Sequence, residues 1–409
     1  MNRAIPPLLA AALVLSLTAI PVVADPVTGA NDPLETLHQE NLRAANSPSP
    51  QTIENTTNRL SLDETSRMRY AEYGSDLGAA LASADDKIRV DHAQYTTVDK
   101  EFDDATADER RELLQNGYER LKEQSDGLEE RERRAVRSHA NDELSDEQLL
   151  QVLVRNHREA TVLSESFAEL DERSDRVQNF SLLVDDERDK LEMHRTEIRA
   201  QLDSAYRYGG SVDGNVIAIE TSRNGYVLSL LGESYVREAT RFDNRNASQS
   251  TQFEDILDAY DHARELYPWA YETVQSPSFN EYTTVQLYKI DNNHEHGHLE
   301  AYLDGGTGEI YREVQVIDRT SLPFENRKTS VKEGVEISVM ETKADGPATV
   351  SVNDSETGDP ISVPITVDGF AVGTTGDDGS LWYVPPKGEY ELQVKTADGT
   401  SVPVTLSSS

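Results

Sequence analysis

Apolar residues in the first half of the chain recur at alternating spacings of four and three. Leu149, Leu153, Asn156, Ala160, Leu163, Phe167, Leu170, Ser174 and Val177 fall on one helical stripe. Leu114, Tyr118, Leu121, Ser125 and Leu128 repeat the rhythm in the helix before it. Three capping-box pairs mark helix starts: Ser61 with Glu64, Thr106 with Glu109, and Ser145 with Gln148. A fourth helix begins near Asp185. The pattern predicts a helical bundle or coiled-coil hairpin over residues 61–205, with charged outer faces. Polar and small seam positions leave room for a partner helix, so a homo-oligomer through this region is expected.

The period changes at Tyr206. Asn215–Glu220 and Tyr226–Leu231 read as strands around a Ser222-Arg223-Asn224-Gly225 turn. Phe253, Ile256, Leu257, Tyr260, Ala263 and Tyr267 give one helix ending at Pro268. Strands are expected at 284–290, 298–304 and 310–317, which makes residues 206–325 an α+β unit of order β-β-α-β-β-β. Residues 333–409 alternate short strands with Gly, Asp and Pro turns and form an all-β sandwich with Trp382 and Tyr390 as core aromatics. Upstream, residues 1–24 read as a signal peptide, with Arg3, an apolar run to Val23 and cleavage after Ala24. Residues 25–60 are a linker. If the first segment stays uncleaved, it becomes a membrane anchor, although Pro6, Pro7 and Pro21 suit it poorly to that role. The fold class is therefore multidomain: helical, then α+β, then all-β.

Two resemblances refine this. Leu299-Glu300-Ala301-Tyr302-Leu303-Asp304 followed by Thr307-Gly308-Glu309-Ile310 resembles the strand-turn-strand of PepSY-like domains. That likeness implies a propeptide, peptidase-inhibiting or envelope setting. Thr357-Gly358-Asp359-Pro360-Ile361, Val367-Asp368-Gly369, Gly373–Gly379 and Pro386–Leu392 together resemble the carboxypeptidase regulatory-like, transthyretin-like sandwich. That likeness implies a binding or structural appendage without catalytic residues.

Charge places the chain. Asp and Glu number 75 against 39 Lys and Arg, a formal net charge of −36. The basic residues are 29 Arg and 10 Lys, and this acidic, Lys-poor balance resembles secreted envelope proteins of haloarchaea. Such a surface repels itself in dilute buffer and is relieved in molar salt, where the Debye length is about 3 Å. Nucleic acid is excluded as a partner. The absence of Cys excludes disulfides, thiolate metal sites and Cys nucleophiles.

Candidate chemistry is sparse. His294-Glu295-His296-Gly297-His298 matches H-E-x-x-H literally, but the Asp291-Asn292-Asn293 run and Gly297 predict an exposed hairpin instead of the zinc-binding helix. In an extended segment His294, His296 and His298 would share one face and could hold a metal. Sequons at Asn55, Asn179, Asn246 and Asn353 suit glycosylation outside the cell. No nucleophile elbow, phosphate loop or dinucleotide fingerprint occurs, so no catalytic residue or cofactor is expected. The expected function is a non-enzymatic structural or protein-interaction role outside the cell or at its surface, with an unidentified protein or envelope partner. The alternatives are a modulator of an extracellular peptidase, and a metal-binding protein or zinc-dependent enzyme using the histidines.

Overall fold

The computed structural model describes residues 60–408 apart from 63–65, 210–215, 273–276, 284 and 344–345. The expected signal segment, all of the linker before Leu60, Glu64 of the first capping box and sequon Asn55 lie outside the described residues.

Among the described residues of the first half, the helices of eight residues or more are α1 (Leu77–Gln94), α2 (Ala107–Ala140), α3 (Asp146–Ser174), α4 (Asp185–Glu192) and α5 (Glu197–Tyr208). The capping boxes of α2 and α3 both close: the Thr106 and Ser145 hydroxyls each accept from the backbone N–H three residues on, and their own backbone N–H groups donate to the Glu109 and Gln148 side chains. These satisfy donors that the first helical turn leaves orphaned. The α3 seam residues from Leu149 to Val177 are all buried, as are Leu114, Leu121, Ser125 and Leu128 of α2. Each large apolar side chain among them contributes roughly 1.5–3 kcal/mol through burial. The polar seam residue Asn156 donates to the Leu128 carbonyl at 2.9 Å, tying α3 to α2. A π-helical turn, Tyr95–Asp99, follows α1 and presses Val98 so close to Gly117 that a Cβ there would sit 2.7 Å from its methyl.

Residues 67–72 correct the expected helix from residue 61. They form a strand, β1 (Arg67–Glu72), paired antiparallel with β2 (Val216–Ser222) from Arg67↔Thr221 to Glu72↔Val216. The hydrogen-bond partners that make it a strand lie far downstream and override local preference. Then follow β3 (Gly225–Leu231), β4 (Tyr235–Arg241), α6 (Ile256–Leu266), α7 (Pro268–Glu272), β5 (Ser278–Tyr282), β6 (Leu287–His294), β7 (Gly297–Asp304) and β8 (Ile310–Ile317). The expected order β-β-α-β-β-β thus omits β4 and β5, and Pro268 begins a second helix, because proline is tolerated in a first helical turn. The β7–β8 strand-turn-strand forms as expected, with Gly308 at φ 71°.

These strands make one eight-stranded sheet, ordered β1-β2-β3-β4-β8-β7-β6-β5 with antiparallel neighbours. One face packs Ile217, Leu228 and Val236 against Leu149, Leu153, Ile198 and Leu202 of α3 and α5. The opposite face packs Ala239, Ile290, Leu299 and Ala301 against Ala259, Ala263 and Leu266 of α6 and Trp269 of α7. The helical region and the sheet therefore share a core. Coverage of both faces explains why β4 is buried at every position.

The last eight strands are β9 (Phe324–Lys332), β10 (Val335–Thr342), β11 (Ala348–Asp354), β12 (Pro364–Val367), β13 (Phe370–Thr374), β14 (Ser380–Tyr383), β15 (Gly388–Lys395) and β16 (Ser401–Ser408). They form two four-stranded antiparallel sheets, β14-β11-β10-β9 and β13-β12-β15-β16, around one aliphatic core that includes Ile337, Val350, Ile365 and Leu392. This unit begins at Phe324 and not at 333, because β9 pairs along β10. Tyr390 is in the core as expected, but Trp382 is not. Strand alternation turns Tyr383 inward and leaves Trp382 stacked on Phe324, with ring centroids 5.7 Å apart. The unit docks on β1: Tyr70 stacks on Phe370 with centroids 5.5 Å apart and donates to the Val384 carbonyl at 2.5 Å.

Candidate functional site

The histidine segment is the tip of the β6–β7 hairpin. His294 pairs with Gly297, so Glu295 and His296 make a two-residue turn. Gly297 has φ 151°, and a Cβ there would lie 2.0 Å from the Val316 carbonyl oxygen, so the turn requires glycine. The hairpin forms as expected, but its histidines are half-buried and not exposed. They also turn to different partners. His294 meets Trp269 edge-on at 4.8 Å, His296 Nδ1 lies 3.1 Å from Ser321 Oγ, and His298 Nε2 lies 2.9 Å from Asp291 Oδ1. Burial pushes the His294 imidazole down to about 4, with His296 and His298 adding to the shift. Among the described residues, no group of three or more His, Asp or Glu could hold a metal ion. Nor do His294 and His298 share a helical face with Glu295 beside them.

Of the sequons, Asn179 and Asn246 are exposed, whereas Asn353 is partly buried within β11. The Asn246 amide oxygen accepts from Ser248 Oγ at 2.7 Å.

The strongest concentration of charge was not anticipated and lies between the helices and the sheet. Glu132 of α2, Arg199 of α5, Glu238 of β4 and Arg312 of β8 are all fully buried. Glu132 reaches Arg199 at 2.9 Å and Arg312 at 2.5 Å, and accepts from Tyr226 Oη at 3.0 Å. Glu238 pairs with Arg199 at 2.7 Å, accepts from Thr196 at 2.5 Å, and lies 2.5 Å from Tyr226 Oη, whose single proton the two carboxylates share. His194 Nδ1 sits 3.2 Å from Glu132, and Arg312 also donates to the Met193 carbonyl. Two carboxylates thus face two guanidiniums, and the charge closes on itself. Burial alone would raise the Glu132 carboxyl, but Arg199, Arg312 and the His194 bond outweigh it and hold the group well below the ordinary carboxylate range. The same opposition leaves Glu238 lowered. Burial also lowers His194, against the pull of Glu132.

A second set occupies the other face of the sheet. Arg237 pairs with Glu313 at 2.9 Å, Tyr267 donates to Glu313 at 2.8 Å, and Leu60 donates its N–H to the same carboxylate at 3.1 Å. One surface cavity of about 480 Å³ is lined by Lys122, Asp126, Glu129, Arg133, Lys190 and Arg245, and another of about 370 Å³ by Glu192, Arg195, Lys289, His298 and Glu300. Their lysines are engaged. Lys122 meets Glu187 at 2.5 Å, Lys190 meets Asp126, and Lys289 meets Glu192 and Glu300 at 3.0 and 3.1 Å. This arrangement fixes the relative position of helices and sheet. Hydroxyl–imidazole–carboxylate contacts lie outside it: Thr221 Oγ1 is 2.8 Å from His139 Nδ1, whose Nε2 is 2.6 Å from Asp146, and Ser321 Oγ is 3.1 Å from His296 Nδ1, whose Nε2 is 3.3 Å from Glu295.

Sequence patterning missed the buried cluster because Glu238 and Arg312 look like solvent-facing positions of alternating strands. The readable signal was adjacent charged residues, Arg237-Glu238 and Arg312-Glu313, in β4 and β8 of a sheet that has helices before and after it.

Three family models match. One described as a domain of unknown function (DUF7096) covers residues 1–212, and one described as a family of unknown function (DUF7094) covers 217–323. A third, an archaeal fibronectin-III type-like domain, covers 326–403. The last match gives the C-terminal sheets a fibronectin-III type likeness where the turns suggested the carboxypeptidase regulatory-like family. No curated protein and no solved structure matches the chain.

Proposed function

The chain belongs to the DUF7096 family, and for this member we propose a non-enzymatic structural or protein-interaction role outside the cell or in the envelope of a salt-adapted archaeon. The observation that supports this most is the closure of the buried charges on one another. Glu132, Glu238, Arg199 and Arg312 neutralise each other away from any opening, whereas catalytic groups need access to a substrate. The fibronectin-III type-like C-terminal unit suits an architectural protein, and the acidic excess suits a saline exterior. The signal-peptide reading of residues 1–24 supports export, and the resemblance of residues 299–310, at the β7–β8 turn, to PepSY-like domains supports an envelope setting.

Fractionation of the producing cells tests the proposal. The protein should appear in the medium or envelope fraction with Asp25 as its first residue, and a pull-down at molar salt should recover a protein partner in stoichiometric amount. Cytosolic protein retaining Arg3, or zinc-dependent peptide hydrolysis abolished by Glu295→Gln, would overturn it.

A further inference from the structure

Helix α1 is built with its apolar side outward. Its inward face carries Asp86, Val90 and Ala93, all buried, with Asp86 held by Arg155 at 2.6 Å. Its outward face carries Leu77, Leu81, Ala84, Ile88 and, one step past its end, Tyr95. At 100° per residue these five positions lie within about 40° of a single line, opposite the buried side. Leu77 is 75 % exposed, Leu81 62 %, Ile88 66 % and Tyr95 53 %. Tyr208, 76 % exposed, extends the patch at its start, where the Asp76 N–H donates to the Tyr206 carbonyl at 3.1 Å. Elsewhere among the described residues large exposed apolar side chains occur singly or as adjacent pairs, never as a helical stripe. A contiguous apolar line of this kind marks an interaction surface.

From Leu77 to Ile88 the spacing is that of a helix–helix seam, alternating four and three, and Asp91 takes the position between Ile88 and Tyr95. Asp85, Lys87 and Arg89 beside it and Asp91 within it are all exposed, two of each sign. That balance selects the partner. Two copies of a chain with net charge −36 repel over most of their surface, but at this face they meet no net charge. We infer that α1 is the contact surface of a homodimer, in which the Leu77–Tyr95 stripe packs against the same stripe of a second copy. A two-fold pairing buries the same patch on both chains. Molar salt favours it by screening the repulsion between the rest of the two surfaces. This inference stands independently of where the protein resides.

The test is the mass of the full chain in molar potassium chloride, by light scattering and sedimentation. The native chain should have twice the monomer mass. The double variant Leu81→Gln/Ile88→Gln should weaken association at least about tenfold while keeping the native circular dichroism, because both side chains face outward. The chain has no Cys, so single variants Leu81→Cys, Ala84→Cys and Ile88→Cys can be treated with a short bismaleimide. At least one should cross-link to dimer in high yield, and Ser401→Cys, in the C-terminal unit, should not. A native chain that stays monomeric to its solubility limit would overturn the inference, whether the stripe is then free or covered by another part of the same chain. So would a dimer whose mass and cross-linking ignore the stripe variants.

Discussion

Replacing Glu132 by Gln should be among the most damaging single-atom changes available in this chain. The carboxylate is fully buried and serves Arg199, Arg312, Tyr226 and His194 at once. The amide keeps the shape but removes one of two negative charges. Arg199 and Arg312 are then left to share Glu238, and a net positive charge is stranded in a low-dielectric interior. Breaking one side of a buried pair costs about 3–5 kcal/mol. For a unit this large that corresponds to a fall in melting temperature on the order of 10 °C. Salt should not rescue the loss, because mobile ions do not reach the cluster. The measurement is urea unfolding at low and at molar potassium chloride, followed by tryptophan fluorescence. A neutral pair, Glu132→Met with Arg312→Met, should cost less than either single change, since it removes one charge of each sign. As a contrast, Asp142→Asn breaks exposed pairs with Arg67 and Arg69 and should leave the urea midpoint nearly unchanged. If Glu132→Gln falls within about 1 kcal/mol of native at both salts, the cluster does not clamp helices to sheet.

Three further outcomes are expected. Burial, with Arg199 and Arg195 adding to it, holds His157 at about 4, against an ordinary value of about 6.5. The unfolded chain therefore binds the extra proton first, so stability is full above about pH 6.5 and declines as pH falls toward 4. His157→Gln should flatten that decline in melts taken from about pH 7 to about pH 4.5, and an unchanged slope would refute the assignment. Melting temperature should rise steadily from dilute buffer to molar salt as the repulsion of a −36 chain is screened, and a flat or falling curve would remove the salt-adaptation argument. Gly297→Ala should disrupt the hairpin tip, because its methyl would meet the Val316 carbonyl. It should cost more than about 1 kcal/mol, whereas Gly232→Ala, with open space around it, should cost less in the same urea titration.

Local signals were legible where the residues that form an element also stabilise it. The α2 and α3 caps and their seam depend on neighbours three, four and seven positions away, so both could be read directly. The β7–β8 turn was legible for the same reason, through Gly308. What failed was everything set by distant partners. Strand β4 reads Tyr-Val-Arg-Glu-Ala-Thr-Arg, a half-exposed pattern, yet Arg237 and Glu238 point into opposite helical layers and are paired there. Strand β1 carries no strand signature of its own. The histidine segment was legible as a turn, but its partial burial came from Trp269 of α7, which nothing in the segment announces. The outward apolar face of α1 is overshadowed in the sequence by the buried stripe of α3, which is longer and more regular.

The position of β1 bears on the order in which the molecule can be completed. Its hydrogen-bond partners begin at Val216, and Tyr70 reaches Val384 across a separation of 314 residues. A chain emerging N-terminus first must therefore leave this segment unpaired until β2 has been made, and undocked until the C-terminal unit follows. A strand that appears among the first is thus fixed in two stages. Pairings this distant in sequence close slowly, so a chain truncated before the C-terminal unit would retain an open sheet edge where the finished protein has a docked domain. In pulse-labelling hydrogen exchange during refolding, the amides of residues 67–72 should gain protection in the slowest phase, together with those near Val384.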